Sequence, residues 1–184
     1  MNTVPNTTPG DAADAGEERL PLLPAQEGLW FVEGGRPSAH NVSFALDLGG
    51  SLDRSRLSRA LRELAGRHAA LRCRVVAESG TPVQLVAPSV TPHVTEVGIA
   101  AGPAAGAEDQ TLDRWITAEQ EKPFRLDEGP LFRVTLFRLA ERRHVLLFVM
   151  HHIVSDGASC DLLARDLGVL YEAGATRLPC PLRA

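Results

Sequence analysis

The stretch HVLLFVMHHIVSDGASCDLLARDLGVLYEAG, residues 144–174, decides the fold. Its opening run HVLLFVM (144–150) is almost entirely apolar. Such a run predicts a strand central to a sheet and covered on both faces. Its second half, ASCDLLARDLGVLYEAG (158–174), is an amphipathic helix with Gly174 placed to cap its end. Between them lies HHIVSDG. A buried strand that hands over to a helix through a polar loop is an α/β unit, and its loop is where side chains can face a cleft.

Working outward, LFRVTLFRLA (131–140) predicts the strand that pairs with 144–150 across Glu141-Arg142-Arg143. In NVSFALDLGG (41–50), Val42, Phe44, Leu46 and Leu48 alternate onto one face, and two glycines end the strand. SLDRSRLSRALRELAGRH (51–68) has helical spacing. Leu57, Leu61 and Leu64, with Ala60 and Ala65, form one stripe, and Ser51 or Asp53 can cap its start. LRCRVVAE (71–78) and TPVQLVAP (81–88) flank Ser79-Gly80 as a hairpin. HVTEVGI (93–99) predicts a short strand, 100–109 a loop, and TLDRWITAEQEK (111–122) a helix stopped by Pro123. LPLLPAQEGLWFVE (20–33) packs on the fold, with a short helix from Pro24, and Trp30 and Trp115 are expected in the core. Residues 1–19 are polar, acidic and predicted disordered, and the proline-bearing tail 176–184 reads as a linker. The order predicts an α/β sandwich, with helices packed on a mostly antiparallel or mixed sheet.

The chain has 184 residues, enough for one sizeable core. A net charge of −4 with dispersed basic residues gives no nucleic-acid surface. The longest apolar run, VLLFVM, is too short to span a bilayer. Cys73, Cys160 and Cys180 make no metal or disulfide pattern, and a cytoplasmic setting is expected.

On a strand His151 and His152 point to opposite sides. One would face the cleft; the other would face the interior and need a hydrogen-bond partner. Both can equally be satisfied core or surface residues. A metal reading lacks further spaced ligands. A neutral imidazole in a cleft accepts a proton near pH 7. Asp156 can orient an imidazole or pair with an arginine, and Gly157 permits a tight turn or a close approach. Ser155 invites a Ser-His-Asp reading, but adjacency in a short loop does not supply triad geometry.

With its surroundings this loop resembles the condensation domains of non-ribosomal peptide synthetases, in the chloramphenicol-acetyltransferase-like superfamily. MHHIVSDGAS (150–159) carries the HHxxxDG motif. LLPAQEGLWFVE (22–33) resembles the S-x-A-Q-x-R-L-W motif, with Leu23 for Ser and Gly28 for Arg. RHAALRCRV (67–75) resembles R-H-E-x-L-R-T-x-F, with Ala69, Cys73 and Val75 departing. PFRLDEGPLFRVTL (123–136) resembles F-D-L-x-x-G-P-L-x-R. The family domain has two lobes of similar fold, and residues 20–175 correspond to the N-terminal one. The resemblance implies a missing C-terminal lobe, with self-association possible through the face that lobe would cover.

It further implies amide formation between a thioester donor and an amine acceptor. Each would arrive on the phosphopantetheine arm of a carrier protein, with no cofactor or metal bound by the lobe. His152 would be the catalytic base and positioning residue. His151, Asp156, Gly157 and Arg67 would support the loop, Asp156 pairing with Arg67 and Gly157 keeping the tunnel open. If Met1 is the native start, the donor would come from another subunit or as a starter group. An epimerisation domain and a silent single-lobe interaction module are the rival readings. A free α-amine has a pKa near ~8, so freeing it at pH 7 costs only about 1.4 kcal/mol. Deprotonating the amine beforehand is therefore a small part of the task. Removing the proton after attack, worth roughly 10²–10⁴-fold, and positioning are the larger parts.

Overall fold

A computed structural model describes residues 16–33, 40–99, 107–173 and 182–183. Residues 144–150 form the expected central strand. It is β7 (Arg143–His151), between β6 (Phe132–Ala140) and β2 (Asn41–Gly49), antiparallel to both. Beyond β6 lies β5 (Val94–Gly98), parallel to it, and beyond β2 the two-residue β8 (Leu182–Arg183). The result is a mixed five-stranded sheet.

Alternation divides β7 between two cores. Leu146, Phe148 and Met150 face α2 (Arg54–Arg67) and α4 (Gly157–Ala173). Val145, Leu147 and Val149 face the opposite layer with Leu112 of α3 (Ala107–Glu121) and Trp30 of α1 (Pro24–Glu33). Leu57, Ala60, Leu61, Leu64 and Ala65 of α2 are all buried, and its start is capped by Asp53, whose side chain accepts from the Arg56 N–H. Phe148 is stacked between Phe44 and Phe132, with ring centroids 5.2 and 5.6 Å away.

Several features depart from the sequence reading. Leu182–Arg183 of the expected linker pair with β2 as β8, and α3 already starts at Ala107 within the expected loop 100–109. The hairpin β3 (Cys73–Glu78) and β4 (Thr81–Val86) joins a second, three-stranded antiparallel sheet instead of extending the first. Its turn is the one expected, with Ser79 at φ 51° and Gly80 at φ 84°, the primed geometry that matches strand twist. The third strand of that sheet is β1 (Glu18–Pro21), paired to β4. The expected disordered tail therefore overlaps structure: Glu18 and Arg19 are paired, and Glu17 holds Arg74 at 2.7 Å. Lastly, Trp115 is 41% exposed instead of buried, whereas Trp30 is half-buried against the second core. Residues 69–72 form a 3₁₀ turn ahead of β3, and the Arg72 guanidinium folds back onto the Ala65 and Ala87 carbonyls. Residues 1–15 of the expected tail, loop positions 100–106, Gly174, Cys180 and most of the expected linker lie outside the described residues.

Candidate active site

β7 ends on His151, and the chain turns at once into a 3₁₀ turn, His152–Val154. The turn sends the two imidazoles to different environments. His151 is fully buried; His152 is exposed.

The protons of both rings follow from their neighbours. The Ile153 N–H can only donate, and it meets His151 Nδ1 at 3.1 Å. Neutral His151 therefore carries its proton on Nε2, which donates to Glu33 Oε1 at 3.0 Å. Burial pushes the His151 pKa down, against the pull of the Glu33 carboxylate, so the ring is neutral at pH 7. On His152 the polarity reverses. Its Nδ1 faces the Ser155 carbonyl at 2.5 Å, and a carbonyl only accepts. His152 thus holds its proton on Nδ1 and presents the Nε2 lone pair, which has no partner among the described residues. That is the arrangement of a base.

The loop is tied from several sides. The His152 N–H donates to the His40 carbonyl at 2.7 Å, and the His151 N–H to Leu131 at 3.0 Å. The Ser155 hydroxyl donates back to the His151 carbonyl at 3.0 Å. Ser155 is therefore a brace for the loop, with its hydroxyl turned away from any nucleophilic role. Helix α1 holds the loop at both ends. Gln26 donates to the Ile153 carbonyl at 2.8 Å, and Glu33 accepts from His151. Gln26, Leu29, Trp30 and Glu33 have i, i+3, i+4, i+7 spacing, so all four share the inward face. A polar residue at each end of a buried stripe needs a partner. That was the available signal for Gln26 and Glu33.

The expected Asp156–Arg67 pair is not formed. Asp156 is exposed and caps α4, its Oδ1 accepting from the Ser159 N–H at 2.8 Å and the Ser159 hydroxyl at 2.6 Å. Those bonds, the hydroxyl first, hold its carboxyl below the usual range. Arg67 instead reaches Asp166 on α4 at 3.4 Å, beside the His68 imidazole at 3.0 Å on the same oxygen. The reason is local: a carboxylate just before a helix is drawn to that helix's free N–H groups. A Cβ added at Gly157 would meet no atom within 4 Å, so nothing described in this chain demands glycine there.

On the α1 side, a cavity of about 650 Å³ is lined by Trp30, Phe31, Glu33, Val75, Phe124 and Leu126. Phe31 and Val32 of α1, and Leu23 just before it, are 69%, 60% and 67% exposed. No described helix is long and apolar enough to cross a membrane.

Sheet, helices and loop define an α/β lobe that offers one tautomer-fixed imidazole at the end of its central strand. The condensation-domain family model matches residues 16–183, and the chain belongs to that family. It is similar to chondramide synthase cmdD of Chondromyces crocatus, 38% identical over 167 residues, which are 89% of this chain and 4% of that protein. In fold it resembles the starter condensation domain of rhizomide synthetase RzmA, with a TM-score of 0.76 and 21% identity over 89% of this chain and 40% of that one. It also resembles the X-domain from teicoplanin biosynthesis, solved in complex with OxyB: TM-score 0.73 and 32% identity over 89% of this chain and 35% of that one. The chain thus spans a small part of the curated relative and well under half of each solved domain.

Proposed function

We propose that this chain is the N-terminal lobe of a condensation domain. Completed by a C-terminal lobe, it forms an amide between an acyl or peptidyl thioester donor and an aminoacyl acceptor. Both are carried on phosphopantetheine arms of carrier proteins in the cytoplasm. The observation that carries the reading is the exposed His152, whose Nδ1–H bonds to Ser155 and whose Nε2 has no partner among the described residues. A lone pair there can orient the incoming amine and take its proton once attack makes the nitrogen cationic. Asp156 supports the loop by starting α4, and Arg67 by joining α2 to α4. Gly157 leaves open the space beside His152, to be walled by the second lobe. The apolar outer face of α1 suits contact with protein better than water.

Co-expression with a C-terminal lobe and two loaded carriers tests this. Wild type should form the amide, and His152→Ala should slow it by roughly 10²–10⁴-fold. A His152→Ala domain at full rate would sink the assignment. The likeness to an X-domain solved in complex with OxyB favours a second reading, a binding module. A completed wild-type domain that never forms amide but retains a partner protein would establish that reading instead.

A further inference from the structure

Outside the histidine motif, one buried carboxylate touches two of the residues that hold it. Glu33, at the end of α1, has a side chain 5% exposed. Its Oε1 accepts from His151 Nε2 at 3.0 Å and meets His40 Nδ1 at 2.9 Å. Each ring continues towards His152. The far nitrogen of His151 accepts from the Ile153 N–H inside the 3₁₀ turn. The backbone carbonyl of His40 accepts from the His152 N–H itself. Two separate routes therefore run from one carboxylate oxygen to the residue that carries the catalytic imidazole, one through the ring before it and one through His40, just ahead of β2.

We propose that Glu33, acting with His40, is a positioning residue that fixes the His151 tautomer and thereby the orientation of His152 Nε2. The proposal rests on the amide-forming reading for its kinetic arm only. Chemically, the acceptor at Glu33 makes His151 protonate Nε2. That frees Nδ1 for Ile153, which sets the turn that brings the Ser155 carbonyl to His152 Nδ1. Without an acceptor, His151 Nε2–H would be buried and unpaired, and the ring would turn or change tautomer.

Long-range ¹H–¹⁵N spectra of the ring nitrogens in this chain, with steady-state rates in the full polypeptide, form the test. Wild type should show His151 protonated on Nε2 and His152 on Nδ1. Glu33→Met fills the same space without an acceptor. It should lose the His152 Nδ1–H preference and lower kcat roughly 10–100-fold, as loss of an orienting outer partner does elsewhere, with KM little changed. Glu33→Gln keeps an acceptor oxygen and should recover most of that loss. A folded Glu33→Met protein with wild-type kcat and tautomers overturns the proposal. So does wild-type His151 protonated on Nδ1, which decides the matter even if the variant does not fold. Should the full polypeptide make no amide, the functional reading falls, and the tautomer shift in Glu33→Met alone upholds or overturns this one.

Discussion

Asp156 shows how a single side chain is captured by its nearest free donors. Four residues past a histidine, it invites pairing with an imidazole or a distant arginine, yet the first turn of α4 lies closer. Its carboxylate therefore acts on the helix, not on the reaction. Asp156→Ala is expected to leave the fold intact and raise amide exchange at Ser159 and Cys160, with Asp156→Asn restoring protection. Global unfolding of Asp156→Ala would show that its carboxylate holds more of the fold than the start of α4. The different environments of His151 and His152 were legible, but for another reason than strand alternation: β7 stops at His151 and the 3₁₀ turn places His152. Their partners were not. Glu33 lies 118 residues from His151, and only the packing of α1 across the loop brings them together. Polar positions on the inward face of α1 were a readable hint; the identity of what they meet was not.

At the scale of elements, the apolar run of β7 carries most of the fold. Because both of its faces are covered, each inward residue has a separate layer to fill. Phe148, 0% exposed between two stacked rings, should be its most sensitive position. Phe148→Ala is expected to cost about 3–5 kcal/mol in urea denaturation. Trp115→Ala, at a half-exposed site, should cost far less, and equal losses would contradict the two-core packing. The alternation of 41–50, the stripe of 51–68 and the hairpin at Ser79-Gly80 were enough to place these elements. Two things were out of reach. One was the parallel pairing of β5 with β6, since a short strand after a loop can join an edge in either direction. The other was the separate sheet of β1, β4 and β3, since strand partners are chosen by tertiary packing and not by local pattern.

For the whole molecule, buried imidazoles couple stability to pH. Burial lowers the pKa of both His151 and His144, and His144 Nδ1 is buried with no hydrogen-bond partner among the described residues. His151 faces Glu33 and His40, with His152 adjacent; Arg54, Arg138 and Glu96 act on His144. In the unfolded chain both rings take up a proton near pH 6.5; in the folded chain they resist until lower pH. Below about 6.5 the unfolded state binds more protons, so stability falls as pH falls through that value towards the folded pKa values, and is unaffected above about pH 7. The depressed carboxyls of Asp156, Asp166 and Glu96 act later. Their stabilisation is present above the ordinary carboxyl range near ~4 and is lost only below it. The expected urea stability curve therefore has two declines, a histidine step starting near pH 6.5 and a carboxyl step below about pH 4. His144→Gln should shrink the first step without abolishing it, the remainder belonging to His151. A curve flat between pH 7 and 5 would mean that His151 is protonated as readily in the fold as in water. The buried, neutral ring on which the orientation of His152 depends would then be wrongly described.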